Sequence, residues 1–108
     1  MKRKDRIVIA FDVDGCLRCN CTPTCPDPNP RIVELLKILS TFKNVRLMVW
    51  SGGGKAYAEN IINRFELPKC FGASKLDPET WVYGRPKIAI DDQQAFSMAD
   101  INLIVREK

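Results

Sequence analysis

Histidine is absent from all 108 residues. That removes Ser-His-Asp and Cys-His catalysis, phosphohistidine relays and every histidine-bearing metal site. Proton transfer near neutral pH then falls to carboxylates, lysines or cysteines. Long apolar runs are missing too: no stretch approaches the roughly 20 residues that a membrane-spanning helix needs. The apolar run after Arg6 ends at Asp12, too soon for a signal-peptide core. These absences predict a cytoplasmic protein with no membrane partner, whose thiols stay reduced. Internal repeats and low-complexity tracts are also lacking.

The length predicts one domain covering residues 1–108, with one modest core. Lys and Arg number 17 against 13 Asp and Glu, a net +4 that biases the chain mildly toward anionic partners. The basic residues are dispersed along the sequence, which is not a nucleic-acid signature. The one exception, Lys2-Arg3-Lys4, has the pattern of a solvated tail.

Residues 6–11, RIVIAF, form a β-branched apolar run of the kind buried on both faces of a parallel sheet. Residues 12–30 hold four of the five cysteines and four of the seven prolines, and predict an irregular loop. Asn29-Pro30 opens a helix expected to run to about residue 42, with Ile32, Leu35, Leu36 and Leu39 at helical spacing. A second strand is expected at 45–50 and a second helix from 55 to about 65, stopped by Pro68. Short strands are expected at 70–73, 87–90 and 102–105, with one or two helical turns within 77–83. Strands alternating with helices predict an α/β fold: a three-layer α/β/α sandwich around a five-stranded parallel sheet.

Ligands of such sheets bind outside the carboxyl ends of the strands. The polar clusters lie there. Asp12-Val13-Asp14-Gly15 follows the first strand, Ser51-Gly52-Gly53-Gly54 the second, Lys75 the third and Asp91-Asp92 the fourth. Each alone has the composition of an ordinary turn or helix cap. Together they put several carboxylates, a hydroxyl, a glycine turn and an amine on one rim. Like charges gathered this way need a compensating cation, and carboxylate oxygens suit Mg²⁺.

The order of these clusters resembles the haloacid dehalogenase-like phosphohydrolase superfamily. The likeness spans residues 6–105, through FDVDGCL (11–17), VWSGG (49–53), a lysine before the fourth strand, and IAIDD (88–92). Cys16 stands where that family usually has Thr. The resemblance implies a Mg²⁺-dependent phosphatase acting through an aspartyl-phosphate. Asp12 is then the nucleophile and Asp14 the general acid and base. The ion is held by Asp12, the Asp14 backbone carbonyl, Asp91 and Asp92. Ser51, the Gly52 amide and Lys75 bind the phosphoryl group.

Three residues compete for the lysine's role. Lys87 precedes the fourth strand, so it should sit about 13 Å from Asp91, at the strand's far end. Lys75 follows the third strand and should lie on the active rim; Arg85 is a weaker third candidate. Neither gap that usually carries a cap domain, about 15 residues after Cys16 and the stretch 54–75, has room for one. By resemblance, capless members act on macromolecular phosphoesters or cover the site by homo-oligomerisation.

Cys16, Cys19, Cys21 and Cys25 form C-x2-C-x-C-x3-C. The pattern is compatible with reduced thiols, a structural zinc, or a disulfide or redox switch. Two further functions therefore stand beside the phosphatase: a phosphate-binding domain without turnover, and a metal or redox sensor centred on residues 16–25. Cys70, Trp50 and Trp81 are expected to be packing residues.

Overall fold

The structure, a computed structural model, describes residues 6–18, 28–92 and 99–105. Five strands make one all-parallel sheet: β1 (Ile7–Asp12), β2 (Val45–Ser51), β3 (Cys70–Ser74), β4 (Ile88–Asp91) and β5 (Ile101–Ile104), in the lateral order β3-β2-β1-β4-β5. Helix α1 (Pro30–Leu39) joins β1 to β2, and α2 (Lys55–Arg64) joins β2 to β3. The chain steps outward from β1 through β2 to β3, then returns past β1 to form β4. That reversal is a topological switch point, and it leaves a crevice between the carboxyl ends of β1 and β4.

The strand registers align the functional ends. Phe11 pairs with Ile90 and Asp12 with Trp50, while Ser51 pairs with Ser74. Asp12 and Asp91 therefore leave neighbouring strands side by side, and Ser51 follows one position further out on β2.

Alternation along the strands sends the two sheet faces into different cores. Ile9, Phe11, Leu47, Val49 and Ile90 meet Ile32, Val33 and Leu36 of α1 and Ala58 and Ile61 of α2. Both helices thus cover one face. On the other face, Val8, Ala10, Met48, Trp50, Ala73 and Ala89 pack with Ala99 and the half-buried Phe71 and Trp81. Among the described residues no helix covers this second face, so the expected third layer is not seen among them; residues 93–98, between β4 and β5, lie outside the described residues. The connection from β3 to β4 carries Pro78, Gly84 and Pro86, which break any long helix. It forms only a 3-10 turn at Pro78–Thr80. The Thr80 hydroxyl accepts from the Ser74 amide at 2.8 Å, and the Trp81 indole donates to the Ser74 carbonyl at 2.8 Å. These bonds pin the segment to the end of β3.

Helix α1 begins where Asn29 and Pro30 place it, with the Asn29 side chain accepting from the Arg31 amide at 3.2 Å. It ends at Leu39, short of the expected residue 42. The Ser40 and Thr41 hydroxyls donate to the carbonyls of Lys37 (2.6 Å) and Ile38 (2.7 Å), which satisfies the last turn locally. Helix α2 lies close on β3: a Cβ added at Gly72 would come 3.1 Å from the Glu59 amide nitrogen and 3.3 Å from the Lys55 carbonyl oxygen. No described helix is long and apolar enough to cross a membrane.

Gly72→Val should therefore cost about 1–3 kcal/mol by overpacking the contact between α2 and β3. Urea denaturation measures it, and an unchanged midpoint would contradict this packing.

Candidate active site

Four strand ends supply the site. Asp12 closes β1, Ser51 closes β2, Asp91 closes β4, and Lys75 follows β3 directly. All four are buried, with 3–6% of their surface exposed. Buried charges persist only when paired, and here one amine pairs with two acids. The Lys75 Nζ donates to Asp12 Oδ1 and to Asp91 Oδ2, each at 2.7 Å. The Lys75 backbone amide donates to the Ser51 carbonyl at 2.9 Å, which fixes the residue to the end of β2. The Trp50 ring lies 5.9 Å from the amine.

Lys87, by contrast, is exposed at the start of β4 and pairs with Asp100 at 3.2 Å. Arg85 bonds the same carboxylate at 2.8 Å. Strand polarity separates both from the acidic cluster.

Asp92 completes the carboxylate group. Oxygens of Asp12, Asp91 and Asp92 lie within 4.8 Å of one another. Asp92 approaches so closely that a Cβ at Gly15 would collide with its carboxylate. Gly15 also has φ +83°, a conformation that favours glycine. The Asp-x-Asp-Gly turn is thus shaped to the acidic pair after β4. Among the described residues, the Lys75 ammonium sits between two of these three carboxylates. Their hard oxygens fit a divalent cation such as Mg²⁺.

Burial pushes the Asp12 carboxyl up to about 7. Lys75 opposes this, and the negative Asp91 and Asp92 add to it. Burial lowers the Lys75 pKa, but the bonds to Asp12 and Asp91 outweigh it and hold the amine protonated above its ordinary value.

Asp14 lies outside this cluster and is exposed. The Tyr57 hydroxyl donates to Asp14 Oδ1 at 2.9 Å, and Arg18 Nη1 donates to the Tyr57 oxygen at 3.0 Å. Tyr57 and Arg18 are neighbours of Asp14 that sequence reasoning did not single out. The available signal was position: Tyr57 stands in the first turn of the helix that follows Ser51-Gly52-Gly53-Gly54. Burial and the Asp14 contact raise the Tyr57 pKa, against the Arg18 hydrogen bond, so the phenol keeps its proton.

The Ser51 hydroxyl accepts from the Gly53 amide at 2.9 Å. Gly52 is exposed on the rim, with open space on its Cβ side. Cys16 is fully buried beneath the turn, and its thiol lies 3.5 Å from the Ile90 carbonyl. Burial and the nearby acids raise its pKa strongly, so it is an inert thiol at neutral pH. Cys70 is half-buried, its thiol 3.1 Å from the Pro68 carbonyl. Cys19, Cys21 and Cys25 lie outside the described residues, and so does the question of a zinc or disulfide among them. Trp50 and Trp81 pack together with ring centroids 5.4 Å apart.

Lys75→Met at pH 8 should cost about 3–5 kcal/mol, because it leaves two buried carboxylates without their partner. Lys87→Met should cost under about 0.5 kcal/mol, as expected for an exposed pair. Chemical denaturation ranks them, and equal losses would contradict the geometry. The raised Asp12 pKa sets a pH dependence. The folded protein keeps a proton that the unfolded chain, with its ordinary value of 3.8, has already released. Without divalent ions, stability should therefore fall as pH rises from about 4 to about 7. Melting curves in EDTA should show this slope in the wild type and a flatter one in Asp12→Asn; equal slopes would contradict the assignment.

Comparison with protein-family models, with curated proteins and with solved structures finds no match. The functional reading therefore rests on these residues and distances.

Proposed function

We propose that this chain is a Mg²⁺-dependent phosphomonoesterase of the haloacid dehalogenase-like type. One observation carries the reading: Asp12 and Asp91 emerge buried from adjacent strands, share Lys75 at 2.7 Å each, and stand beside Asp92. Such an arrangement is costly for stability alone, because three carboxylates are brought within 4.8 Å of one another. It suits a site that awaits both a cation and a phosphate.

Asp12 is the nucleophile. Its carboxylate attacks phosphorus, the bond to the leaving oxygen breaks, and Asp14 gives that oxygen a proton. Asp14 then takes a proton from water as the water attacks the aspartyl-phosphate. Inorganic phosphate leaves and the Asp12 carboxylate is restored. Asp14 is exposed, as this exchange with substrate and water requires, and Tyr57 and Arg18 orient it. Lys75 holds Asp12 in place and offsets charge on the phosphoryl group. The Ser51 hydroxyl and the Gly52 amide are donors for the phosphoryl oxygens.

The carboxylates of Asp12, Asp91 and Asp92 and the Asp14 carbonyl would hold Mg²⁺. When bound, the ion supplies the positive charge that lets a phosphate dianion approach these acids. Residues 54–75 contain only α2, β3 and their connections, so no inserted domain covers the rim from that side. This openness supports a phosphate carried on a larger molecule.

Phosphate release from a panel of small phosphomonoesters, phosphopeptides and end-phosphorylated oligonucleotides should depend on Mg²⁺ and stop with EDTA. Asp12→Asn should lower it by at least about 10³-fold while keeping the wild-type circular dichroism spectrum. Substantial turnover by that variant would remove Asp12 as the nucleophile.

A further inference from the structure

The opposite edge of the sheet, about 20 Å from the site along a six-residue strand, has its own chemistry. Two cavities open there and share Arg6 as a common wall. The larger, about 520 Å³, is lined by Arg6, Lys43, Arg46 and Lys69, by the Ser40 and Thr41 hydroxyls and by Phe42, with no carboxylate. The smaller, about 360 Å³, continues past Tyr83 to Arg85 and Lys87, which are paired with Asp100.

The lateral strand order arranges these cations. Lys69 precedes β3, Arg46 is the second residue of β2, Arg6 precedes β1 and Lys87 precedes β4. Neighbouring strands lie about 4.8 Å apart. The sheet order β3-β2-β1-β4 therefore sets one cation at each successive strand start, in a row. A row of charges matches a linear polyanion better than a compact one.

Arg46 in this row is held in place. The Arg46 guanidinium lies 4.3 Å over the Tyr83 ring, with Nη1 3.4 Å from the Tyr83 hydroxyl. This contact fixes a side chain that would otherwise lose rotamer freedom on binding. The Arg6 Nε is shielded from solvent and has no acceptor among the described residues. Phe42 is 51% exposed on the lip of the larger cavity. The carbonyl end of α1, which would repel an anion, is partly satisfied by the Ser40 and Thr41 hydroxyls.

We propose that this edge binds single-stranded nucleic acid, with Lys69, Arg46 and Arg6 tracking successive phosphates and Phe42 stacking a base. Backbone-following cations with an exposed ring are the usual means of holding a single strand without sequence preference. The proposal is independent of the chemistry at the opposite rim.

The test uses the full chain in EDTA and a fluorescent oligonucleotide of roughly 12 nucleotides, a length in the usual site range. The oligonucleotide carries no terminal phosphate, so the phosphatase site has no substrate to hold. Anisotropy should show binding at low salt, with log K falling against log salt at a slope of about −2 to −3, as three or four phosphate contacts require. The double variant Lys43→Gln, Lys69→Gln should weaken binding roughly tenfold, and Phe42→Ala roughly fivefold or more. Lys55→Gln, at the start of α2 on the other rim, should leave it unchanged. All of these positions are exposed, so the variants should fold. No binding at low salt, equal weakening by Lys55→Gln, or equally effective competition by polyglutamate would each overturn the proposal.

Discussion

One buried ammonium organises this molecule. Lys75 reaches from the end of β3, across β2, to carboxylates on β1 and β4, at 2.7 Å from each. The two acids stand side by side because the parallel register pairs Phe11 with Ile90 one position earlier. Neither acid could stay charged in so dry a place without a partner, and the amine could not stay protonated there without them. Asp92 adds a third carboxylate, and the Asp12 pKa rises despite its lysine. Three clustered carboxylates at the switch point of a parallel sheet offer a hard cation its oxygen ligands. The functional proposal rests on that cluster.

The rest of the structure serves this placement. Gly15 has no side chain, and Asp92 occupies the space a Cβ would need. Both helices pack on one face of the sheet and bring the first turn of α2 to the rim, where Tyr57 meets Asp14. The second face is filled by small residues and by Trp50 and Trp81, held by the bonds that tie the 3-10 segment to Ser74. Among the described residues, both helices lie on one face of the sheet. Its two edges differ as well: acids gather at the carboxyl ends of the strands and cations at the amino ends.

Much of this was legible in the sequence, for identifiable reasons. Asp12, Ser51 and Asp91 each follow a strand-forming run without a gap, so strand polarity put them on one rim. The same polarity placed Lys75 near them and Lys87 away from them. The extent of α1 was less legible, because Ser40 and Thr41 close the helix through hydroxyl bonds that periodicity does not reveal. The third layer was expected from the general architecture; the proline- and glycine-broken connection from β3 to β4 yields only a short turn, and most of the connection from β4 to β5 lies outside the described residues. Arg18 and the row of cations were not legible, and Tyr57 was marked only by its place in the first turn after the glycine run. Their proximity depends on the lateral order of the strands and on helix orientation, and basic residues dispersed in the chain become neighbours only through that order.

The most direct test of the central claim is chemical trapping at Asp12. The protein is mixed with Mg²⁺ and a reactive phosphomonoester such as p-nitrophenyl phosphate, quenched during turnover, and treated with borohydride. An aspartyl-phosphate is reduced to homoserine, which peptide mass spectrometry locates. The account predicts homoserine at residue 12, dependent on both substrate and Mg²⁺ and absent from Asp12→Asn. Phosphate release with no modification at residue 12, or with modification at another carboxylate, would contradict it.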